Sequence, residues 1–299
     1  MERTIGIISK DAGSANQIAW YVKKCPSNYL FALEEPAIGI FESVLGPIRN
    51  IGLEDLVLLS DELISGTGWQ SDFEWTGIQR FLMSSKKVTT YLDHWNNYSE
   101  RFIRNGVTVL PNILWVSDRI AERIASLEFP NIPIILKENY YIESIRKKRE
   151  DIKKLLTDEK IQSNVLYLTE PILEVQNQSS TPKNFNEFDA LKQFLIEYDL
   201  CDDLGLNLRI RLHPSEKQGK YSHMIADLER VKSNSIDLAL DLAWADYVIG
   251  VDTYAMYVAN QLGLPVATSA TEIDFQGSIP WEDIVSLKKV GLRNFLSEN

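Results

Sequence analysis

Short apolar runs alternate with longer amphipathic stretches along the whole chain. Residues 4–9 (TIGIIS) are apolar without polar alternation, the pattern of a strand buried on both faces of a parallel sheet. After the turn Asp11-Ala12-Gly13-Ser14, residues 15–24 read as a helix. Residues 56–60 (LVLLS) read as a second buried strand, and the glycine loop Ser65-Gly66-Thr67-Gly68 leads into a helix over 72–84, with Asp72 near its start. Residues 87–92 (KVTTYL) form a β-branched strand, and two more strands, 112–116 and 132–136, flank a helix over 117–127. Residues 141–160 are helical and heavily charged, with the run Arg146-Lys147-Lys148-Arg149-Glu150-Asp151. Such a run reads as a solvated helix face, with a docking surface as the alternative.

The alternation restarts beyond it. Strands are predicted at 164–168, 207–212, 246–251 and 264–268, and helices at 188–198, 221–230, 254–262, 281–288 and 290–297, with a loop at 179–184. Two β/α halves joined by a charged helix make an α/β protein of two doubly wound, Rossmann-like domains, 1–145 and 146–299, expected to face each other across a cleft. Ligands of such sheets sit at the carboxyl ends of the strands.

Composition narrows the function classes. The chain has 299 residues, 44% apolar and 24% charged, which is a globular and not a disordered composition. Its 31 Lys and Arg against 42 Asp and Glu give a formal net charge of -11. That balance disfavours nucleic acid as a partner, because phosphate neutralisation needs clustered cations. No apolar run approaches the ~20 residues of a membrane span, and Glu2 and Arg3 run straight into a strand, unlike a signal peptide. Two distant cysteines, Cys25 and Cys201, support neither a disulfide framework nor a cysteine zinc site and suit a reducing, cytoplasmic compartment. Neither G-x-G-x-x-G nor a P-loop motif occurs, and no metal-ligand motif is evident.

The chemistry-bearing residues cluster after strands. In the second half, Arg209-Ile210-Arg211-Leu212-His213-Pro214-Ser215-Glu216 puts an imidazole just past a strand that Pro214 cannot continue. His213 there is either a hydrogen-bond donor to a phosphate or a turn residue satisfied by the backbone. Ala245 to Tyr254 (ADYVIGVDTY) ends a strand at Asp252-Thr253 and opens a helix, whose N-terminus attracts anions. Simple N-capping by either residue is the alternative. Glu170, in Thr169-Glu170-Pro171, is placed to meet ribose hydroxyls or a base edge, or is a loop carboxylate.

Together these segments resemble the donor-nucleotide domain of GT-B glycosyltransferases of bacterial capsule and surface-carbohydrate synthesis, a group that includes sialyltransferases, Kdo transferases and teichoic-acid glycerophosphotransferases. The resemblance rests on Arg211-Leu212-His213-Pro214, Ala245 to Thr253, and Gly263-Leu264-Pro265, and covers the second half. It implies a CMP- or CDP-activated donor whose phosphate is contacted by His213 and Thr253. Arg211, Pro214, Asp252 and Glu170 complete the expected donor side. Thr253-Tyr254 stands where many relatives carry serines.

In the first half, the Lys10 to Asn16 turn, the Gly66-Thr67-Gly68-Trp69 loop and the Leu92-Asp93-His94-Trp95 segment supply the acceptor side. Gly13 and Gly68 give room for a sugar, and Trp69 and Trp95 are stacking faces or core residues. A base is expected among Asp11, Asp72 and Asp93, with His94 as an outsider and Asp11 first. The resulting expectation is an inverting, metal- and cofactor-independent glycosyltransferase. It would move a nonulosonic-acid or Kdo-type sugar from a CMP donor to a glycan or lipid-linked acceptor, with peripheral membrane contact at most. A UDP-sugar 2-epimerase of the same fold and a non-catalytic nucleotide- or glycan-binding subunit are the alternatives.

Overall fold

The computed structural model describes residues 3–68, 71–155, 162–176, 184–225, 237–272, 275, 277 and 284–298. It divides into two compact units, Met1–Ser144 and Ile145–Asn299.

Among the described residues of the first unit, eight strands form: β1 (Thr4–Ser9), β2 (Asn28–Leu33), β3 (Glu62–Ser65), β4 (Lys87–Tyr91), β5 (Ile103–Arg104), β6 (Val107–Thr108), β7 (Ile113–Val116) and β8 (Ile134–Leu136). Strands β5 and β6 make a small antiparallel hairpin, and the other six form one parallel sheet in the order β2-β1-β3-β4-β7-β8. Ile7 pairs with Phe31 on one side and Ile64 on the other, which explains why β1 lacks polar alternation. The chain winds outward from β1 to β2 and then reverses to β3, so the topological switch point lies between β1 and β3.

Residues 56–60, expected as a strand, are the end of a helix, Leu53–Leu59, and the strand lies just beyond at β3. In that helix Leu56 is fully buried while Leu58 is 77% and Leu59 58% exposed, so only one face packs. A five-residue apolar run does not separate strand from helix by periodicity, and here the helical face won.

The second unit contains β9 (Asn164–Leu168), β10 (Asn207–Arg211), β11 (Tyr247–Gly250), β12 (Val266–Thr268) and β13 (Val285–Ser286), in one parallel sheet ordered β10-β9-β11-β12-β13. Counted within its own unit this order is 2-1-3-4-5, the same winding as the first unit, with the switch point between β9 and β11. Val285 and Ser286, expected inside a helix, pair with Ala267 and Thr268. Along β10, Leu208 and Ile210 enter a core with Phe194 and Tyr198 of the helix Glu187–Asp199, while Arg209 and Arg211 point to the opposite face.

The basic run is largely the solvated face expected, with Arg146, Lys147, Lys148, Glu150 and Asp151 exposed, but three of its cations also bond neighbouring elements. It lies in the helix Tyr140–Leu155. Arg146 donates to the carbonyl of Gln261 (2.9 Å), Arg149 to that of Leu242 (2.9 Å), and Lys148 pairs with Asp237. Gln261 ends the helix Tyr254–Gln261, and Leu242 lies in the last turn of the helix Leu238–Trp244. Cations there satisfy carbonyls that a helix C-terminus leaves without partners. Among the described residues no helix is long and apolar enough to cross a membrane.

Candidate active site

In the first unit the carboxyl ends of β1, β3 and β4 are neighbours because the strands are. Asp11, two residues past β1, caps the helix Ala12–Lys24, its Oδ1 accepting from the Gly13 N–H at 2.9 Å. Asp93, two residues past β4, lies under the same turn. A Cβ placed on Gly13 would stand 2.0 Å from Asp93 Oδ2, so a residue without a side chain is what lets the helix start come this close. Arg101 donates from Nη1 to Asp93 Oδ1 at 2.6 Å and also to the carbonyl and hydroxyl of Thr67, at 3.1 and 3.0 Å. Both members of this ion pair are more than nine-tenths buried. Glu74, on the helix Phe73–Met83, is 1% exposed. Its Oε1 accepts the backbone N–H groups of Lys10 (2.9 Å) and Asp11 (3.3 Å), and its Oε2 lies against Gly68, where a Cβ would be 2.7 Å away.

Three carboxyl groups and one guanidinium therefore share this strand-end position. The Asp11 carboxyl retains solvent access yet is set deep among protein atoms. Its pKa is pushed up to about 7, first by that desolvation, then by the charges of Asp93 and Glu74 and a hydrogen bond to Asp93. Burial first, then the Asp93 charge, pushes Glu74 up as well, against the backbone N–H groups of Lys10, Asp11 and Gly68 that favour its anion. Arg101 compensates the Asp93 charge.

The other first-half candidates lie apart from this group. Asp72 occupies the N-cap position of its helix without capping it. Its side chain is 73% exposed and pairs with Arg104 at 2.8 Å. Arg104 also holds the carbonyls of Gly68 (2.7 Å) and Ser71 (2.9 Å), so Asp72 belongs to the brace of the glycine loop. Trp95 is 6% exposed and turns its indole N–H to Asp118, the N-cap of the helix Arg119–Glu128. It is a core residue with no open face for a sugar, which corrects the stacking role expected of it. The His94 ring packs beside Trp95 with centroids 5.1 Å apart. Trp69 lies outside the described residues.

In the second unit the ends of β10, β9, β11 and β12 stand side by side. His213 follows β10, and the exposed Pro214 turns the chain away. The His213 N–H is shared between Thr169 Oγ1 (3.0 Å) and Glu216 Oε2 (3.1 Å). Its Nδ1 receives the Ser215 N–H at 3.3 Å and lies 2.8 Å from the Ser215 hydroxyl. An N–H donor at Nδ1 requires that nitrogen to be the acceptor, so the neutral ring carries its proton on Nε2. Burial first, then the charges of Lys220 and Arg211, hold the imidazole below its ordinary pKa, against Glu216. Glu170, past β9, accepts the Asp252 N–H at 3.0 Å and ties the two sides of the switch point together. Thr253 is the N-cap residue of the helix Tyr254–Gln261, but its side chain does not cap that helix. Thr253 is 8% and Asp252 7% exposed.

Arg211 is not with them. Its guanidinium bonds Asp241 at 2.6 Å on the opposite face of β10, and Arg209 bonds the other Asp241 oxygen at 3.0 Å. Asp241 is wholly buried, so both arginines are committed to neutralising it. Strand alternation decides this, since Arg211 sits two residues from Arg209 and so shares its face.

No family model matches this sequence, and no curated protein matches it. Solved structures do. The UDP-GlcNAc 2-epimerase of Methanocaldococcus jannaschii superposes with a TM-score of 0.65 at 10% identity, over 98% of this chain and 91% of that one. The chain has the GT-B fold. A UDP co-structure of Staphylococcus aureus MnaA superposes with a TM-score of 0.59 at 11% identity, over 89% of this chain and 78% of that one. The wall teichoic acid polymerase TagF superposes with a TM-score of 0.57 at 13% identity, over 99% of this chain and 79% of that one.

Glu74, Arg101 and Glu216 were not singled out by residue pattern. Glu74 had a signal: with Gly77, Ile78 and Phe81 it occupies the buried face of its helix at i, i+3, i+4 and i+7, where a carboxylate is out of place. Arg101 lies on a short 3-10 turn, Glu100–Phe102, and carries no periodic signal.

Proposed function

We propose that the chain is a nucleotide-sugar enzyme of the UDP-sugar 2-epimerase kind. The observation that carries this reading is the Asp11–Asp93 carboxyl pair, backed by Glu74, with Asp11 poised near neutrality. Inverting a sugar carbon that bears hydrogen means taking that hydrogen as a proton and returning one to the other face. In the outward step the C2–H pair forms a C1–C2 double bond as the C1–O bond breaks and its pair leaves with the diphosphate, and in the return step the diphosphate oxygen re-adds at C1 as C2 takes a proton on the other face. A carboxylic acid beside a carboxylate supplies both donor and acceptor, and a pKa near the working pH suits both roles.

The second unit, taken by itself, carries groups that suit a nucleotide. His213, with its proton on Nε2, donates to a diphosphate oxygen, and the helix start at Thr253 adds backbone donors. Glu170 takes the ribose. The UDP bound in one structural neighbour and the UDP-GlcNAc named for another support uridine diphosphate as the carrier, in place of the CMP donor that the sequence motifs suggested. The TagF likeness keeps transfer to an acceptor as the second reading.

Incubation with UDP-GlcNAc alone in deuterated water separates the two, followed by proton NMR of the sugar. Deuterium at C2 with no acceptor present is the expected result. No exchange with UDP-GlcNAc alone, together with UDP release once an acceptor glycan is added, would replace the epimerase with a transferase.

A further inference from the structure

The residues under the His213 turn have not been assigned a purpose by the site chemistry. The Glu216 side chain is fully buried and gathers four donors. Oε2 accepts the Thr169 hydroxyl and the His213 N–H (3.1 Å), and Oε1 accepts Lys220 Nζ (2.9 Å) and the Tyr221 hydroxyl (2.5 Å). A buried carboxylate is tolerated only when its oxygens are this fully bonded. Lys220 is itself held by two further carboxylates, Glu187 at 2.5 Å and Glu174 at 3.1 Å. Three anions surround the one cation, so Lys220 has no charge to spare for a phosphate, although it lies only seven residues past His213.

The same carboxylate spans two strand ends. Thr169 follows β9, and its own N–H bonds the carbonyl of Arg211, the last residue of β10. The Thr169 hydroxyl gives its proton to Glu216 and accepts the His213 N–H. The His213 backbone is thus fixed from below by Glu216 and Thr169, and its ring from the side by Ser215.

We propose that Glu216 is a positioning residue for His213: it locks the turn so that the imidazole keeps its Nε2 proton aimed at an anionic ligand, while Lys220 compensates the Glu216 charge. The assignment of that ligand as a nucleotide diphosphate rests on the proposed function, and the positioning does not.

Two measurements on the full chain keep those claims apart. The first is nitrogen–proton NMR of the ligand-free protein, with only His94, His213 and His223 to assign and His213→Ala to identify the signals. Wild type is expected to show His213 as the Nε2–H tautomer, titrating below 6.5. The charged groups packed around it are Glu216 and Lys220, and the Arg211 charge acts on it from the opposite face of β10. Glu216→Gln should mix the tautomers and move the titration, and Glu216→Asp should restore part of the wild-type behaviour. The second is calorimetry with UDP, where Glu216→Gln should bind about tenfold more weakly, the loss of one charge-assisted contact. Unchanged His213 signals in Glu216→Gln would overturn the positioning role whatever UDP does. Wild type that shows the tautomer but binds no UDP would overturn the nucleotide reading alone. If Glu216→Gln does not fold, Thr169→Val removes the shared hydroxyl and must disturb the same signals, or the proposal fails.

Discussion

At the residue scale the informative feature is a mismatch between chemical type and surroundings. Asp11 is an ordinary helix cap by its bond to Gly13, yet desolvation first, and then the charges of Asp93 and Glu74, lift it to about 7. Asp11→Asn keeps the cap, because an amide oxygen accepts from Gly13 as well as a carboxylate does, but it removes the titrating group. Turnover is expected to fall about 10²–10⁴-fold, the range for loss of a general acid or base, with UDP affinity unchanged. The pH–rate limb near 7 should vanish in whatever activity remains. A retained limb in steady-state profiles of the variant would assign it to another group. Asp11 was legible in the sequence as a carboxylate after a buried strand. Its partner Glu74 was not read, because its meaning depends on which helix face is buried.

At the scale of elements, β10 and the helix Tyr140–Leu155 show how a motif divides between function and support. In Arg211-Leu212-His213-Pro214 the histidine reaches the strand-end cluster, while the arginine turns back to the buried Asp241. The charged helix was legible as a helix, but its charges serve two helix C-termini. Arg149→Leu keeps the aliphatic packing and removes the donor to the Leu242 carbonyl. Its cost should be about 0.3–1 kcal/mol, the usual range for a cation at a helix end, read as a lower urea midpoint with UDP affinity intact. An unchanged midpoint would show that water replaces the guanidinium there.

For the whole molecule, the raised carboxyls tie stability to pH. A carboxyl whose folded pKa lies above its unfolded value binds more protons when folded, so stability falls as pH rises between the two values. For Asp11 the window runs from about 4 to about 7, and Glu74 acts in the same direction. These two carboxyls should therefore lower the melting temperature from pH 5 to pH 7.5, offset in part by His213, whose lowered pKa works in the opposite direction. Glu74→Gln, which cannot ionise, should flatten part of that decline. A slope identical to wild type in scanning calorimetry would remove Glu74 as a contributor. The winding that begins 2-1-3-4 in both sheets also exists only at this scale: both place their switch point beside the first strand of the unit, and the candidate residues gather there. By itself the sequence determined the alternation of buried strands and helices, the polar segments that follow strands, and the break that Pro214 imposes after β10. Those depend on side-chain periodicity and local backbone chemistry, which neighbouring residues fix. Tertiary structure alone decided the strand order, the pairing of Asp11 with Asp93, the commitment of Arg211 to Asp241 and the burial of Glu74 and Glu216. Each of these depends on contacts between distant segments, such as Asp252 with Glu170 or Lys10 with Glu74, or on which face an element buries, and no local pattern specifies either.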